Sequence, residues 1–282
     1  MPSVPTRRAV VAHSVLAGIS ASIAAAVRPP LSWAAAPVAG ALVTETQAVP
    51  TATGAIPLYL ARPAGEGPFP VVLVVHEIFG VHAWIQAVCD RLAGEGFLAV
   101  APYLYHRQGD VTQLDTVERI LGEVVSRVSQ DEVLADLDLV LAWAGTHAHA
   151  DLARASVTGF CWGGTVTWMV AARRPDLKAA VAWYGRLLPA TGPLLPRTPV
   201  DIAPTLTVPV LGLYGGQDGG IPLADVERMR AALAQGQSGS RIEVYPDAGH
   251  GFLADYRPSY HPASAALAWP AMLAWLREHG AG

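Results

Sequence analysis

Three short segments of this chain carry side chains that could work together in acyl-transfer chemistry. Gly159-Phe160-Cys161-Trp162-Gly163-Gly164 places a thiol among small residues, Gly215-Gly216-Gln217-Asp218 ends on a carboxylate, and Asp247-Ala248-Gly249-His250-Gly251-Phe252 holds an imidazole in a glycine-flanked loop. A thiol is a strong nucleophile once ionised. An imidazole titrates near neutrality and can shuttle a proton, and a carboxylate can orient and stabilise it. Each residue also has a plainer role. A cysteine fills small apolar spaces, an aspartate after glycine makes turns, and His250 is one of 9 histidines. His76, His82 and His106 also fall near expected strand ends, and Asp247 reads as a turn residue on the loop of His250.

The apolar pattern predicts the elements that must position these groups. Ile56–Arg62 alternates as a half-exposed strand, and Pro63–Pro70 reads as a turn. Val71–Val75 is a continuous β-branched run, the mark of a strand covered on both faces. A helix is expected over His82–Ala93, a strand over Phe97–Pro102, loop over Arg107–Asp110, and a helix over Asp131–Ala144 with Leu134, Leu137 and Leu141 on one face. Strand Ala155–Phe160, helix Gly163–Arg173, strands Ala179–Tyr184 and Val210–Tyr214, helix Pro222–Gln235, strand Arg241–Tyr245 and helix Ala263–Glu278 complete the order. Alternation of this kind implies βαβ units and a mostly parallel central sheet with helices on both faces.

Open α/β sheets bind ligands at the carboxyl ends of their strands. Cys161, Asp218 and His250 each follow a predicted strand, in the order nucleophile, acid, histidine that marks the α/β-hydrolase fold. The cysteine occupies the serine position of a G-x-S-x-G elbow, where a strand turns sharply into a helix and the helix dipole favours the thiolate. The joint pattern predicts a Cys-Asp-His triad. The elbow alone does not separate an ester from a thioester or peptide-type bond, nor a hydrolase from a scaffold that only binds a small ligand.

Taken with these segments, His76-Glu77-Ile78-Phe79-Gly80, Leu104-Tyr105-His106-Arg107-Gln108-Gly109, Tyr214-Gly215-Gly216-Gln217-Asp218, Tyr245-Pro246-Asp247-Ala248-Gly249-His250 and Asp255-Tyr256-Arg257-Pro258 make the chain resemble the dienelactone hydrolase (carboxymethylenebutenolidase-like) family from about Ile56 to His279. The resemblance implies cofactor-independent hydrolysis of an enol lactone or small carboxylic ester through a Cys161 thioester, and Cys89 and Cys161 lack the spacing of metal ligands, so no metal is expected. It implies His250 as proton shuttle, Asp218 as its orienting acid, Glu77 as an extra carboxylate touching the nucleophile, and the backbone N–H groups of Ile78 and Trp162 as the oxyanion hole. Arg107 matches one of the family's substrate-carboxylate arginines. Ala254 stands where the other is expected, with Arg257 further on, and His76 replaces the glutamine common before that glutamate. Tyr105, Trp162 and Trp183 are expected as pocket walls.

With 52% hydrophobic and 15% charged residues the chain can bury a large core, and a formal charge of −4 argues against nucleic acid as a partner. A monomer acting on a small molecule is expected. Residues 1–40 read as a leader: Thr6-Arg7-Arg8, an alanine-rich apolar run to Val27, then Ala34-Ala35-Ala36 as a cleavage site. The arginine pair resembles a twin-arginine export signal, which predicts a periplasmic protein without a lasting membrane span, a cytoplasmic one being the alternative. Residues 41–282 form the single expected domain. Cys89 lies in the helix after a different strand from Cys161, so no disulfide is expected between them.

Overall fold

Why Cys161, Asp218 and His250 can meet at all is decided by the sheet. The computed structural model describes residues 40–52 and 54–282, so the leader, Gly40 excepted, lies outside the described residues. Within them, eight strands form one sheet in the order β1-β2-β4-β3-β5-β6-β7-β8. They are β1 (Leu42–Thr51), β2 (Gly54–Pro63), β3 (Phe69–Val75), β4 (Leu98–Pro102), β5 (Ala150–Phe160), β6 (Ala179–Trp183), β7 (Val210–Gly215) and β8 (Arg241–Tyr245). The first two form an antiparallel hairpin that joins β4 antiparallel, and every other pairing is parallel.

The sequence dictates the centre of this sheet directly. Val71 to Val75 are fully buried, as are β4 and β6 throughout, because apolar side chains on both strand faces need cover on both sides. That cover comes from α1 (Ala83–Gly94), α2 (Gln130–Ala144), α3 (Trp162–Arg173), α4 (Leu223–Leu233) and α5 (Pro262–Glu278). Leu134, Leu137 and Leu141 of α2 are buried, as their spacing predicts. No helix among the described residues is long and apolar enough to cross a membrane.

The parallel register puts the chemistry on one edge. Val75 lies opposite Gly159, Phe160 opposite Trp183, and Gly215 opposite Tyr245. The residues that follow β3, β5, β6, β7 and β8 therefore all emerge at the same carboxyl edge.

Some elements differ from the sequence reading. β1 was not expected: Thr44-Glu45-Thr46-Gln47 is polar and Pro50 interrupts the run, which suits an outer strand needing little apolar surface. β5 begins five residues earlier than predicted, at Ala150, and its first half lacks the full burial of its second. Between β4 and α2 the chain makes short helical turns over Val111–Gln113, Val117–Arg119, Ile120–Val124 and Val125–Arg127. They are too short to show a period, and the apolar pattern predicts no element over them. Both cysteines are free, with Cys89 buried in α1.

Candidate active site

Cys161 sits between β5 and α3 with φ 55° and ψ −114°, a region that a non-glycine residue occupies at a cost of about 1–3 kcal/mol. The surroundings hold it there. Its N–H donates to the Trp183 carbonyl at 3.0 Å, and its own carbonyl accepts the N–H groups of Gly164 and Thr165 at 3.0 and 3.3 Å. Gly159 and Gly163 are required by close approach: a Cβ on the first would strike the Gly163 carbonyl, and on the second the carbonyls of Val75 and His76. The G-x-C-x-G spacing is thus the steric condition for jamming α3 against the ends of β3 and β5.

Cys161 Sγ lies 3.2 Å from His250 Nε2, and His250 Nδ1 lies 2.8 Å from Asp218 Oδ2. The second oxygen of the buried Asp218 accepts the Gly220 N–H at 2.8 Å, so the carboxylate is oriented from both sides. Burial opposes ionisation of the thiol, yet the charge and hydrogen bond of His250, with the charge of Arg257, outweigh it and hold the Cys161 pKa below the ordinary thiol range. The reciprocal holds for His250. Burial works against its cationic form, but the Cys161 sulfur and Asp218 together raise its pKa well above that of a free imidazole. The arrangement favours a thiolate–imidazolium pair.

Glu77, two residues past the end of β3, is fully buried. Its Oε1 accepts from Arg257 Nη2 at 2.7 Å, and its Oε2 accepts from the Tyr256 hydroxyl at 2.5 Å and lies 3.4 Å from His82 Nε2. Arg257 Nε in turn donates to the Tyr256 hydroxyl at 3.0 Å. Burial would raise the Glu77 pKa, but Arg257, His82 and Tyr256 overcome it and hold the carboxyl well below its usual range. The sequence reading expected Glu77 to touch the nucleophile. Its hydrogen bonds run instead to Arg257, Tyr256 and His82, and its negative charge acts on Cys161 through space, opposing the thiolate.

The expected substrate residues divide. Arg107 is held by Asp136 in a two-pronged pair at 2.5 and 2.7 Å, so its charge is already compensated. Arg257 is compensated by Glu77 through a single bond from Nη2 to Oε1. Trp183 is not a pocket wall: it is fully buried, its indole N–H donates to Thr158 Oγ1 at 3.1 Å, and its ring stacks on Phe160 in the core. Tyr105 and Trp162 pack together with ring centroids 4.9 Å apart. The rival histidines have other duties. His82 caps α1 through the Trp84 N–H, and His106 Nδ1 bonds the Tyr103 carbonyl.

Sequence reasoning missed Tyr184 and Tyr256. Tyr184 follows β6 with φ 37°, sets its ring edge-on to His250 at 5.2 Å, and buries a hydroxyl that no described protein group engages. The strand-end rule that found Cys161 could have found it. Tyr256 carries no such signal, because its partner Glu77 is 179 residues away. Among the described residues no cluster of three or more His, Cys, Asp or Glu side chains is placed to hold a metal ion.

Comparison with known proteins adds a second line of observation. Residues 56–280 match the model of the dienelactone hydrolase family. A protein of Methylorubrum extorquens named "Putative carboxymethylenebutenolidase" is 48% identical over 276 residues, covering 98% of this chain and 94% of its own. A Bradyrhizobium protein named "Probable 2-oxo-3-(5-oxofuran-2-ylidene)propanoate lactonase" is 32% identical over 225 residues, covering 79% of this chain and 90% of its own. The crystal structure of a "Putative Dienelactone Hydrolase" from Klebsiella pneumoniae superposes with TM-score 0.82 at 49% identity, covering 84% of this chain and 99% of that one.

Proposed function

The chain belongs to the dienelactone hydrolase family and is a hydrolase of the carboxymethylenebutenolidase kind, and from that premise we propose that it cleaves an enol lactone or small carboxylic ester through an acyl-enzyme on Cys161. The observation that carries this reading is the line from Cys161 Sγ to His250 Nε2 to Asp218 Oδ2, at 3.2 and 2.8 Å. A thiolate, a proton carrier and an orienting carboxylate in hydrogen-bond reach are the parts that covalent acyl transfer requires.

In the proposed reaction the Cys161 thiolate attacks the carbonyl carbon, the S–C bond forms, and the π pair moves to oxygen. The Trp162 N–H lies in the first turn of α3, where no intrahelical carbonyl can accept it. With the Ile78 N–H it would receive that oxyanion, aided by the positive end of the helix. Collapse of the tetrahedral intermediate expels the enolate or alkoxide, which takes the proton from His250 Nε2. Water then attacks the thioester while His250 removes its proton, and the second collapse returns acid and thiolate. Asp218 keeps Nδ1–H directed inward and stabilises the imidazolium.

A slowly deacylated aryl ester, quenched in acid and mapped by peptide mass spectrometry, should leave its acyl mass on the peptide containing Cys161, and iodoacetamide should block both labelling and turnover. Wild-type turnover by Cys161→Ala would overturn the reading. The lactonase name of the Bradyrhizobium relative supports a lactone substrate. An acid group on it would reach the proposed contacts Arg107 and Arg257 only by displacing Asp136 or Glu77, which leaves these arginines little net pull on the substrate. Matched neutral and anionic lactones should therefore differ in kcat/KM by less than about tenfold, equivalent to about 1.4 kcal/mol. A hundredfold preference for the anion would show that an arginine is released to the substrate.

A further inference from the structure

Resting on the acyl-enzyme reading above, we infer that His76 is a positioning residue for the oxyanion hole, fixing the Glu77–Ile78 peptide so that the Ile78 N–H faces the reacting carbonyl. His76 is the first residue after β3 and is fully buried. Both ring nitrogens are used. Nε2 accepts the Leu104 N–H at 3.2 Å, and Nδ1 lies 2.6 Å from the Glu77 carbonyl oxygen. These partners decide the tautomer. A nitrogen that accepts an N–H carries no proton, so the single proton of the neutral ring sits on Nδ1 and is donated to the carbonyl. Burial favours the same neutral ring, lowering the His76 pKa to about 4.

The consequence falls on the next residue. A trans peptide is planar, with its C=O and N–H pointing in opposite directions. Holding the Glu77 oxygen therefore fixes the direction of the Ile78 N–H. The same oxygen accepts the Gly80 N–H at 3.2 Å, so the carbonyl is held by two donors. Among the described residues no backbone carbonyl takes the Ile78 N–H, which leaves it available. A hydrogen bond to the carbonyl also polarises the peptide and strengthens its N–H as a donor.

His76 touches the carrier of the second donor as well. Its ring stacks on the Trp162 indole with centroids 5.3 Å apart and planes 21° from parallel. Its own carbonyl borders the space where a Cβ on Gly163 would collide. One side chain thus sets the direction of the first oxyanion donor and packs against the residue that supplies the second. A core histidine with no such duty would be replaceable by an apolar side chain. This one would be replaceable only by a group that donates and accepts in the same places, as the amide of glutamine can.

The test compares wild type, His76→Gln and His76→Leu on one activated aryl ester. Four quantities are read: kcat, KM, inhibition by a trifluoromethyl ketone whose adduct oxygen occupies the oxyanion hole, and the rate of Cys161 alkylation by iodoacetamide. Loss of one oxyanion donor costs about 10²–10³-fold in kcat, so His76→Leu should lose about 100-fold with KM nearly unchanged. Inhibitor affinity should fall in parallel, and alkylation, which needs no oxyanion hole, should stay near the wild-type rate. His76→Gln should recover most of kcat. A leucine variant with near wild-type kcat, or one in which alkylation falls together with kcat, overturns the inference. ¹⁵N NMR of histidine-labelled wild type adds a readout independent of variant folding: His76 should show a protonated Nδ1 and bare Nε2, and the opposite tautomer sinks the proposal. Inactive wild type, or an active Cys161→Ala, would instead sink the acyl-enzyme reading and leave the tautomer result standing on its own.

Discussion

Replacing either Cys161 or His250 with alanine should lower kcat/KM by on the order of 10⁵-fold, and replacing both should cost no more than replacing one. The reason is the contact between Cys161 Sγ and His250 Nε2 at 3.2 Å. In the proposed mechanism each group creates the working state of the other, since His250 lowers the Cys161 pKa and Cys161 raises that of His250. Without His250, Cys161 keeps its burial and loses the charge that offset it, so its pKa should rise into or above the ordinary thiol range. Alkylation of wild type by iodoacetamide should persist below that range and fall only as pH drops through the lowered Cys161 pKa. In His250→Ala the same profile should move to higher pH. Asp218→Asn should be milder, near 10⁴-fold, because the geometry survives while the favoured tautomer is lost. Stopped-time rates on one ester across the set give the answer. Losses that multiply in the double variant would mean that thiol and imidazole act independently.

What could be read from the sequence and what could not divides along a physical line. Cys161, Asp218 and His250 were legible because each is tied to a local signal, a short apolar run ending in glycine-containing sequence, and because parallel strands share one carboxyl edge. The sheet centre was legible for the same reason, Val71–Val75 having no polar side to expose. Partner choice was not legible. Glu77 finds Arg257 at a separation of 180 residues and Arg107 finds Asp136 at 29, and long flexible side chains carry no pattern that announces such pairing. Trp183 and Tyr184 show a subtler failure. Alternation along a strand sends neighbours to opposite faces, but the strand ends at Trp183 and Tyr184 takes a positive φ. Which aromatic would turn toward His250 was therefore set by a backbone break that residue types do not reveal.

The largest effect on stability should come from Arg257→Met, which leaves the buried carboxylate of Glu77 without its cation. Removing one partner of a buried ion pair costs about 3–5 kcal/mol, whereas replacing both by apolar groups is often neutral. For a domain of this size that corresponds to a fall of about 10 °C in Tm. The sign of its pH dependence follows from Glu77. In wild type its folded pKa is depressed, so its contribution is complete above the unfolded carboxyl pKa and is lost as pH falls through the folded value. Without Arg257, burial, the largest single influence on Glu77, is opposed only by His82 and Tyr256, so the Glu77 pKa should rise above the unfolded value and the folded variant should bind the extra proton. Its stability should then fall as pH rises, and its deficit against wild type should be smaller at pH 5 than at pH 8. The acid sensitivity contributed by buried, neutral His76 is common to both proteins and cancels in the difference. Adding Glu77→Leu to Arg257→Met should recover most of the loss, because no uncompensated charge then remains in the core. Thermal unfolding of the single and double variants at the two pH values measures all three effects. A deficit below about 1 kcal/mol, equal at both pH values, would show that water reaches Glu77 and that the pair is not the buried one its burial describes.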